Sequence, residues 1–196
     1  MLNFGIKLAN LVSTMNDEKQ IACKLIDYLE NKYKFDFLAR EVPFSGGERR
    51  ADLVAGSRCD NSTYGFEIKS DNDTLSRLAG QLESYRCTFN YVFVVTTKKY
   101  LPMVKKYGLW FGVLLIDSEG KITIERDARK RNLISNTSDR PQLKTSDGDC
   151  NVKYLEWLCQ RYVPLYEIFV KERTAHLTTE EDIKILSLRS DRITIF

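Results

Sequence analysis

The 196 residues hold a single histidine, His176, and no cysteine pair spaced as C-x-x-C. Together these absences leave no Cys/His framework for zinc. The five cysteines, Cys23, Cys59, Cys87, Cys150 and Cys159, are an odd set. That count argues against a fully paired disulfide scaffold, and without a Cys–His pairing nothing supports covalent catalysis by a thiol. The longest apolar stretch, Leu109–Ile116, is far shorter than the ~20 residues of a membrane-spanning helix. The opening MLNFGIKLANLV has neither a long apolar core nor a small-residue cleavage pattern. A reduced, cytoplasmic protein with no membrane partner is the expectation. No internal repeat is visible. Neither sign of charge dominates: 30 Lys+Arg stand against 27 Asp+Glu, a net +3. Such a total is weak evidence for an anionic partner, although a locally basic surface can hide within it.

Apolar residues make up 43% of the chain and charged residues 29%, the balance of an ordinary folded domain with a sizeable core. Over residues 17–34, Ile21, Leu25, Ile26 and Leu29 recur at helical spacing, with Asn16 or Asp17 as cap. FLAREVPF and RRADLVAG flank a Gly46–Gly47 turn and read as a hairpin. YGFEIKS (64–70) is a third strand, with Phe66 and Ile68 on one face and Glu67 and Lys69 on the other. A helix follows through Leu75, Leu78, Leu82 and Tyr85, with Asp73 as its cap. YVFVVT (91–96) has the composition of an inner strand, a short helix or turn falls near 100–107, and LWFGVLLID and KITIE complete the strands. The fold class expected is α/β, a mixed central sheet flanked by helices over residues 1–126. Residues 127–196 follow as a polar loop or lid (127–150) and a C-terminal helical extension packed on the core. Its helices are expected at 152–170 and 178–188.

Asp52, Glu67, Lys69 and Gln81 fall in one stretch. Asp52 lies on the hairpin strand next to the one carrying Glu67 and Lys69, so the two carboxylates can converge. Buried charges need partners, because removing their water is costly. A hard divalent cation would satisfy both acids, Mg²⁺ typically taking about six oxygens at ~2.0–2.1 Å. Asp52, Glu67 and the carbonyl of Ile68 supply three, with Glu41 a candidate for holding a second ion. Lys69 would then stand beside an attacking water and a phosphate oxygen. Arg50, Arg77, Lys98 and Lys99 are candidate contacts to a nucleic-acid backbone. Packing is the expected role of Trp110, Trp157 and the tyrosines, rather than base stacking.

Glu41, Arg50-Ala51-Asp52, Glu67-Ile68-Lys69-Ser70-Asp71, Asp73-Thr74-Leu75, Arg77-Leu78, Gln81 and Tyr85 together resemble the PD-(D/E)xK nuclease superfamily, and within it the sce7726-like family of bacterial and phage proteins. The likeness runs over residues 41–96. It implies a restriction-endonuclease-like core with Mg²⁺ or Mn²⁺, one or two ions, at Asp52 and Glu67. The activity implied is a DNA endonuclease hydrolysing phosphodiester bonds, with structure selectivity, RNA as substrate and a homodimer left open. Gln81 would be a helix residue near the site; Glu41 would be the superfamily's helix acid, with Glu30 its competitor. The motif proline is absent, Ala51 standing before Asp52. The alternative expectation is a catalytically inactive protein of this fold that binds nucleic acid or another protein.

Overall fold

The computed structural model describes residues 17–132, 150–173 and 177–188. A helix, α1 (Glu18–Lys32), leads into strands β1 (Phe37–Phe44), β2 (Arg49–Ser57) and β3 (Ser62–Lys69). Helix α2 (Leu78–Thr88), strand β4 (Tyr91–Thr96), the short helix α3 (Leu101–Val104), strands β5 (Gly112–Ile116) and β6 (Ile122–Arg126), and helix α4 (Cys150–Glu172) follow. The six strands form one sheet in chain order. β1, β2 and β3 run antiparallel, β3, β4 and β5 run parallel, and β6 returns antiparallel. Antiparallel neighbours need only a turn between them, whereas the parallel steps need a crossover; α2 and α3 lie in those two connections. The result is an α/β fold with a mixed central sheet, helices on both faces and a C-terminal helical extension.

Period-two alternation divides the strands between two cores. One face of the sheet buries Ala39, Val54, Val94 and Val113 beneath α2 and α4, whose Leu82, Tyr85, Leu155 and Leu158 complete that layer. The other face buries Leu53, Phe66, Ile68 and Leu114 beneath α1, through Ile21, Leu25, Ile26 and Leu29. The Asp17 side chain caps α1 by accepting from the Lys19 amide at 3.0 Å. Where β1 meets β2, Ser45, Gly46 and Gly47 all take left-handed φ, the turn the Gly-Gly pair predicts. Gly65 is fixed by close approach instead: a Cβ there would stand 2.4 Å from Phe89 Cδ2. The edge of β1 is covered by residues 177–188. The Arg40 amide donates to the Leu186 carbonyl at 2.7 Å, and Ile183 and Leu186 join the α1-side core. No helix among the described residues is long and apolar enough to cross a membrane.

Three local expectations differ from the structure. The helix predicted from Leu75 begins at Leu78, and Asp73 does not cap it. The Asp73 carboxylate instead accepts from the Ser70 amide and hydroxyl, at 2.8 and 2.6 Å, closing the turn after β3. The helix predicted over 178–188 is a single 3₁₀ turn, Asp182–Lys184. Thr179 and Asp182 satisfy each other's amides and end-groups there, so the capping signal is real but only one turn follows it. Of the proposed lid, residues 127–132 lie along the sheet, the Arg131 amide donating to the Asn90 carbonyl at 2.9 Å. Residues 133–149 and His176 are outside the described residues. Cys23, Cys59, Cys87 and Cys159 are free thiols.

Candidate functional site

The β2–β3 register pairs Leu53 with Phe66, both on the α1 face. Their neighbours Asp52 and Glu67 therefore point together to the opposite face, under α2. Glu67 is 1% and Lys69 5% exposed, and Lys69 Nζ donates to Glu67 Oε1 at 2.7 Å. Asp52 Oδ2 accepts from the Ile68 amide at 2.7 Å. Tyr85, reaching in from α2, ties the same point together. Its hydroxyl accepts from the Asp52 amide at 3.2 Å and donates to the Phe66 carbonyl at 3.3 Å.

Two charges in so dry a place disturb each other. Burial, with the Glu67 charge beside it, pushes the Asp52 carboxyl well above the ordinary carboxylate value, against the opposing pull of the Ile68 amide and Lys69. Burial and the same two carboxylates raise the Tyr85 phenol. Glu18, at the start of α1, is also raised by burial, although Arg40 holds it through an ion pair at 2.8 Å. Glu67 Oε2 and Gln81 Oε1 are buried with no hydrogen-bond partner among the described residues. Gln81 lies one helical turn from Tyr85 on the same stripe of α2.

Other sequence candidates fall elsewhere. Glu41 occupies the β1 position opposite Asp52, with a left-handed φ of 51°. Its carboxylate lies 3.9 Å from Arg50. Glu30 is remote: it accepts from the Tyr166 hydroxyl and from Arg173, on the other side of the molecule. The first-helix acid that senses the cluster is Glu18, whose ionisation feels Asp73, Glu41 and Glu67. Its signal in the sequence is only that it opens the helix. Tyr85 too is more than a core residue, and no spacing rule announces a hydroxyl shared between two strands.

Around this centre the basic residues form a rim. The Arg49 guanidinium passes over Gly80 of α2, where a Cβ would stand 3.6 Å from it. Arg50 follows with its side chain 61% exposed. Arg77 is exposed at the N-terminal cap of α2. Lys98 and Lys99 are exposed just beyond β4, and Lys99 Nζ donates to the Asp71 carbonyl in the loop that leads to Arg77. The rim thus lies at the carboxyl ends of the parallel strands β3 and β4.

The family model described as Bacteriophage P4 protein cII matches residues 12–143. Protein cII of Enterobacteria phage P4 is 34% identical over 91 residues, which cover 45% of this chain and 33% of that one. The chain thus spans about a third of the length of that curated relative. A protein of unknown function from Silicibacter pomeroyi shares 15% identity with a TM-score of 0.49, over 78% of this chain and 85% of that one. The matched span includes the whole motif run, Glu41 to Tyr85, and the family is not a PD-(D/E)xK nuclease family. The expected membership of that superfamily and of the sce7726-like group is therefore corrected, and with it the metal-dependent endonuclease, hydrolase and phosphodiesterase reading. The geometry gives the physical reason why the motif misleads. One Glu67 oxygen is engaged by Lys69, one Asp52 oxygen by a backbone amide, and Glu41 faces Arg50. Among the described residues no group of three or more His, Cys, Asp or Glu side chains gathers as metal ligands. What the alternating strand and the helix after it specify is a buried ion pair beneath a basic rim, in a chain that belongs to the Bacteriophage P4 protein cII family.

Proposed function

We propose that the chain binds DNA through the sugar-phosphate backbone and acts by binding rather than by turnover. The observation that carries this reading is the rim of Arg49, Arg50, Arg77, Lys98 and Lys99. Contacts at Gly80 and Asp71 draw it together from β2, α2 and the β4 end. Open α/β sheets bind ligands at the carboxyl ends of their strands, and clustered Arg and Lys side chains on one edge suit phosphates without reading sequence. Lys69 does not add to the rim, because Glu67 neutralises it in the interior.

Within this reading a divalent cation, Mg²⁺ or Mn²⁺, fits the acidic pair as a counter-ion. Glu67 Oε2 lacks a partner and the Asp52 charge is disfavoured. An ion held by Asp52, Glu67 and the Ile68 carbonyl would offset both, with the Gln81 amide beside it.

The test is a titration of labelled duplex DNA by fluorescence anisotropy at several salt concentrations. Each phosphate contact contributes roughly 0.9 to the slope of log affinity against log salt. Arg50→Ala, Arg77→Ala and Lys98→Ala should each lower that slope by about this amount, with the DNA recovered uncut. Repeating the titration with Mg²⁺, Mn²⁺ and EDTA, and with duplex RNA, reads the cation and the nucleic-acid preference. A triple variant that binds duplex DNA with the wild-type slope refutes the assignment.

A further inference from the structure

The opposite end of β3 and β4, on the opposite face of the sheet, carries a second and chemically different surface. There the side chains are aromatic. Tyr64 and Tyr91 are paired across the parallel register. Their rings stack with centroids 4.6 Å apart and an 8° tilt. The next pair inwards on this face, Phe66 and Phe93, is stacked at 5.3 Å. Phe35 meets Tyr64 edge-on at 4.9 Å. With Tyr33 from the end of α1, these rings line a groove of about 270 Å³.

The rings rest on the α1-side core without being enclosed by it. Tyr64, Tyr91 and Phe93 are half-buried and Tyr33 is 41% exposed. Tyr64 is occupied by Tyr91 and Phe35, but among the described residues no second ring stacks on Tyr91, so a nucleobase can extend the stack there, because every base has a π-face. The volume lies below the ~300–1,000 Å³ of pockets that enclose drug-sized ligands, and suits one planar ring system. Two lysines at its margins are placed to meet phosphates. Lys32 Nζ stands 5.3 and 5.6 Å from the Tyr28 and Tyr33 ring centroids on one side. Lys130 Nζ donates to the Asp60 carbonyl at 2.7 Å on the other. Two acids are nearby. The Asp60 carboxylate is engaged by the Tyr64 hydroxyl at 2.8 Å, and Asp127 lines the groove.

We infer that this groove is a stacking site for an unpaired base of single-stranded DNA, with Lys32 and Lys130 receiving the flanking phosphates. The inference rests on DNA being the partner, as proposed for the basic rim. The rim takes backbone alone, whereas the groove takes a base only where the strand is open. Packing had been the expected role of these tyrosines; the ring register and exposure give them another.

The test compares a labelled oligo-dT strand with an abasic strand of equal length, which keeps the phosphates and lacks the bases. Stacking is worth about 1–3 kcal/mol per base by alanine substitution, so the wild type should prefer oligo-dT by about five- to 150-fold. Tyr91→Ala should erase that preference and leave duplex binding unchanged, while Tyr91→Phe, which keeps the ring, should retain it. A photo-cross-link from 5-iododeoxyuridine should map to Tyr64, Tyr91 or Phe93. Equal wild-type affinity for the two strands overturns the groove assignment and leaves the basic rim standing, as does a cross-link confined to the rim. Failure to bind any strand or duplex overturns both.

Discussion

Removing one oxygen atom, by Tyr85→Phe, tests whether the centre of the molecule is held as described. The ring itself stays, with its edge-on contact to Phe44 at 5.1 Å and its packing on Phe89 at 5.3 Å, so no cavity larger than a hydroxyl opens. What is lost is the bridge between the Asp52 amide and the Phe66 carbonyl, at 3.2 and 3.3 Å. Both lengths are at the long end of the hydrogen-bond range, so each bond contributes toward the lower part of the usual ~0.5–1.5 kcal/mol. The Asp52 amide loses the acceptor that the Tyr85 hydroxyl gives it, and a buried donor left unmade costs about 1–3 kcal/mol. The expected destabilisation is therefore about 1–3 kcal/mol, dominated by that amide. For a chain of this size it corresponds to a fall in Tm of roughly 2–4 °C per kcal/mol. Urea unfolding followed by circular dichroism measures it directly. The midpoint should move with the m-value unchanged, since the folded and unfolded surfaces are the same. A loss below about 0.5 kcal/mol would mean that water or another group serves the Asp52 amide equally well. The hydroxyl would then not be the staple between the two strands.

Two further outcomes follow from the same region. The Asp52 carboxyl is raised in the folded state, so the folded chain binds that proton more tightly than the unfolded one. Its contribution to stability is complete below the ordinary carboxylate value of about 4, is lost as pH rises through the raised folded value, and does not return above it. Asp52→Asn, which keeps an oxygen for the Ile68 amide, should therefore be more stable than wild type at neutral pH. It should also have a flatter stability profile from acid to neutral pH, as read by urea midpoints; a steeper one would reverse the sign of the argument. Gly65→Ala places a methyl group 2.4 Å from Phe89 Cδ2. Overpacking of this kind costs about 1–3 kcal/mol, and Phe89→Leu in the same chain should recover part of it in the unfolding midpoint.

Much of the fold was legible because period and composition coincided. The Ile21–Leu29 stripe, the Gly46–Gly47 turn and the continuous β-branched run at 91–96 each appear where their pattern places them. Boundaries failed where side chains competed for backbone. Asp73 has the residue type of a helix cap, yet its carboxylate reaches back to Ser70 and the helix starts at Leu78. The Thr179–Asp182 box is formed but ends after one turn. The candidate site was legible as a juxtaposition and misread as a chemistry. Alternation correctly brings Asp52, Glu67 and Lys69 to one face. It does not say that Lys69 closes on Glu67, or that Glu41 turns out of line through a left-handed backbone. It is equally silent on the acid that α1 contributes, Glu18 rather than Glu30.

The two interfaces assigned to this chain are a consequence of one strand. Along β3, Tyr64, Phe66 and Ile68 face α1, while Glu67 and Lys69 face α2. At about 3.3 Å per residue, Tyr64 and Lys69 stand roughly 16 Å apart along the strand, on opposite faces. A one-residue slip of register would exchange the faces, burying a stacked tyrosine under α2 and presenting the ion pair to the α1 core. The buried ion pair has little to offer net stability, because desolvation offsets its attraction, but in the wrong register neither charge would meet its partner. That asymmetry is a physical reason for an acid and a lysine to occupy the interior. They fix which face of β3 carries the rim and which carries the aromatic groove.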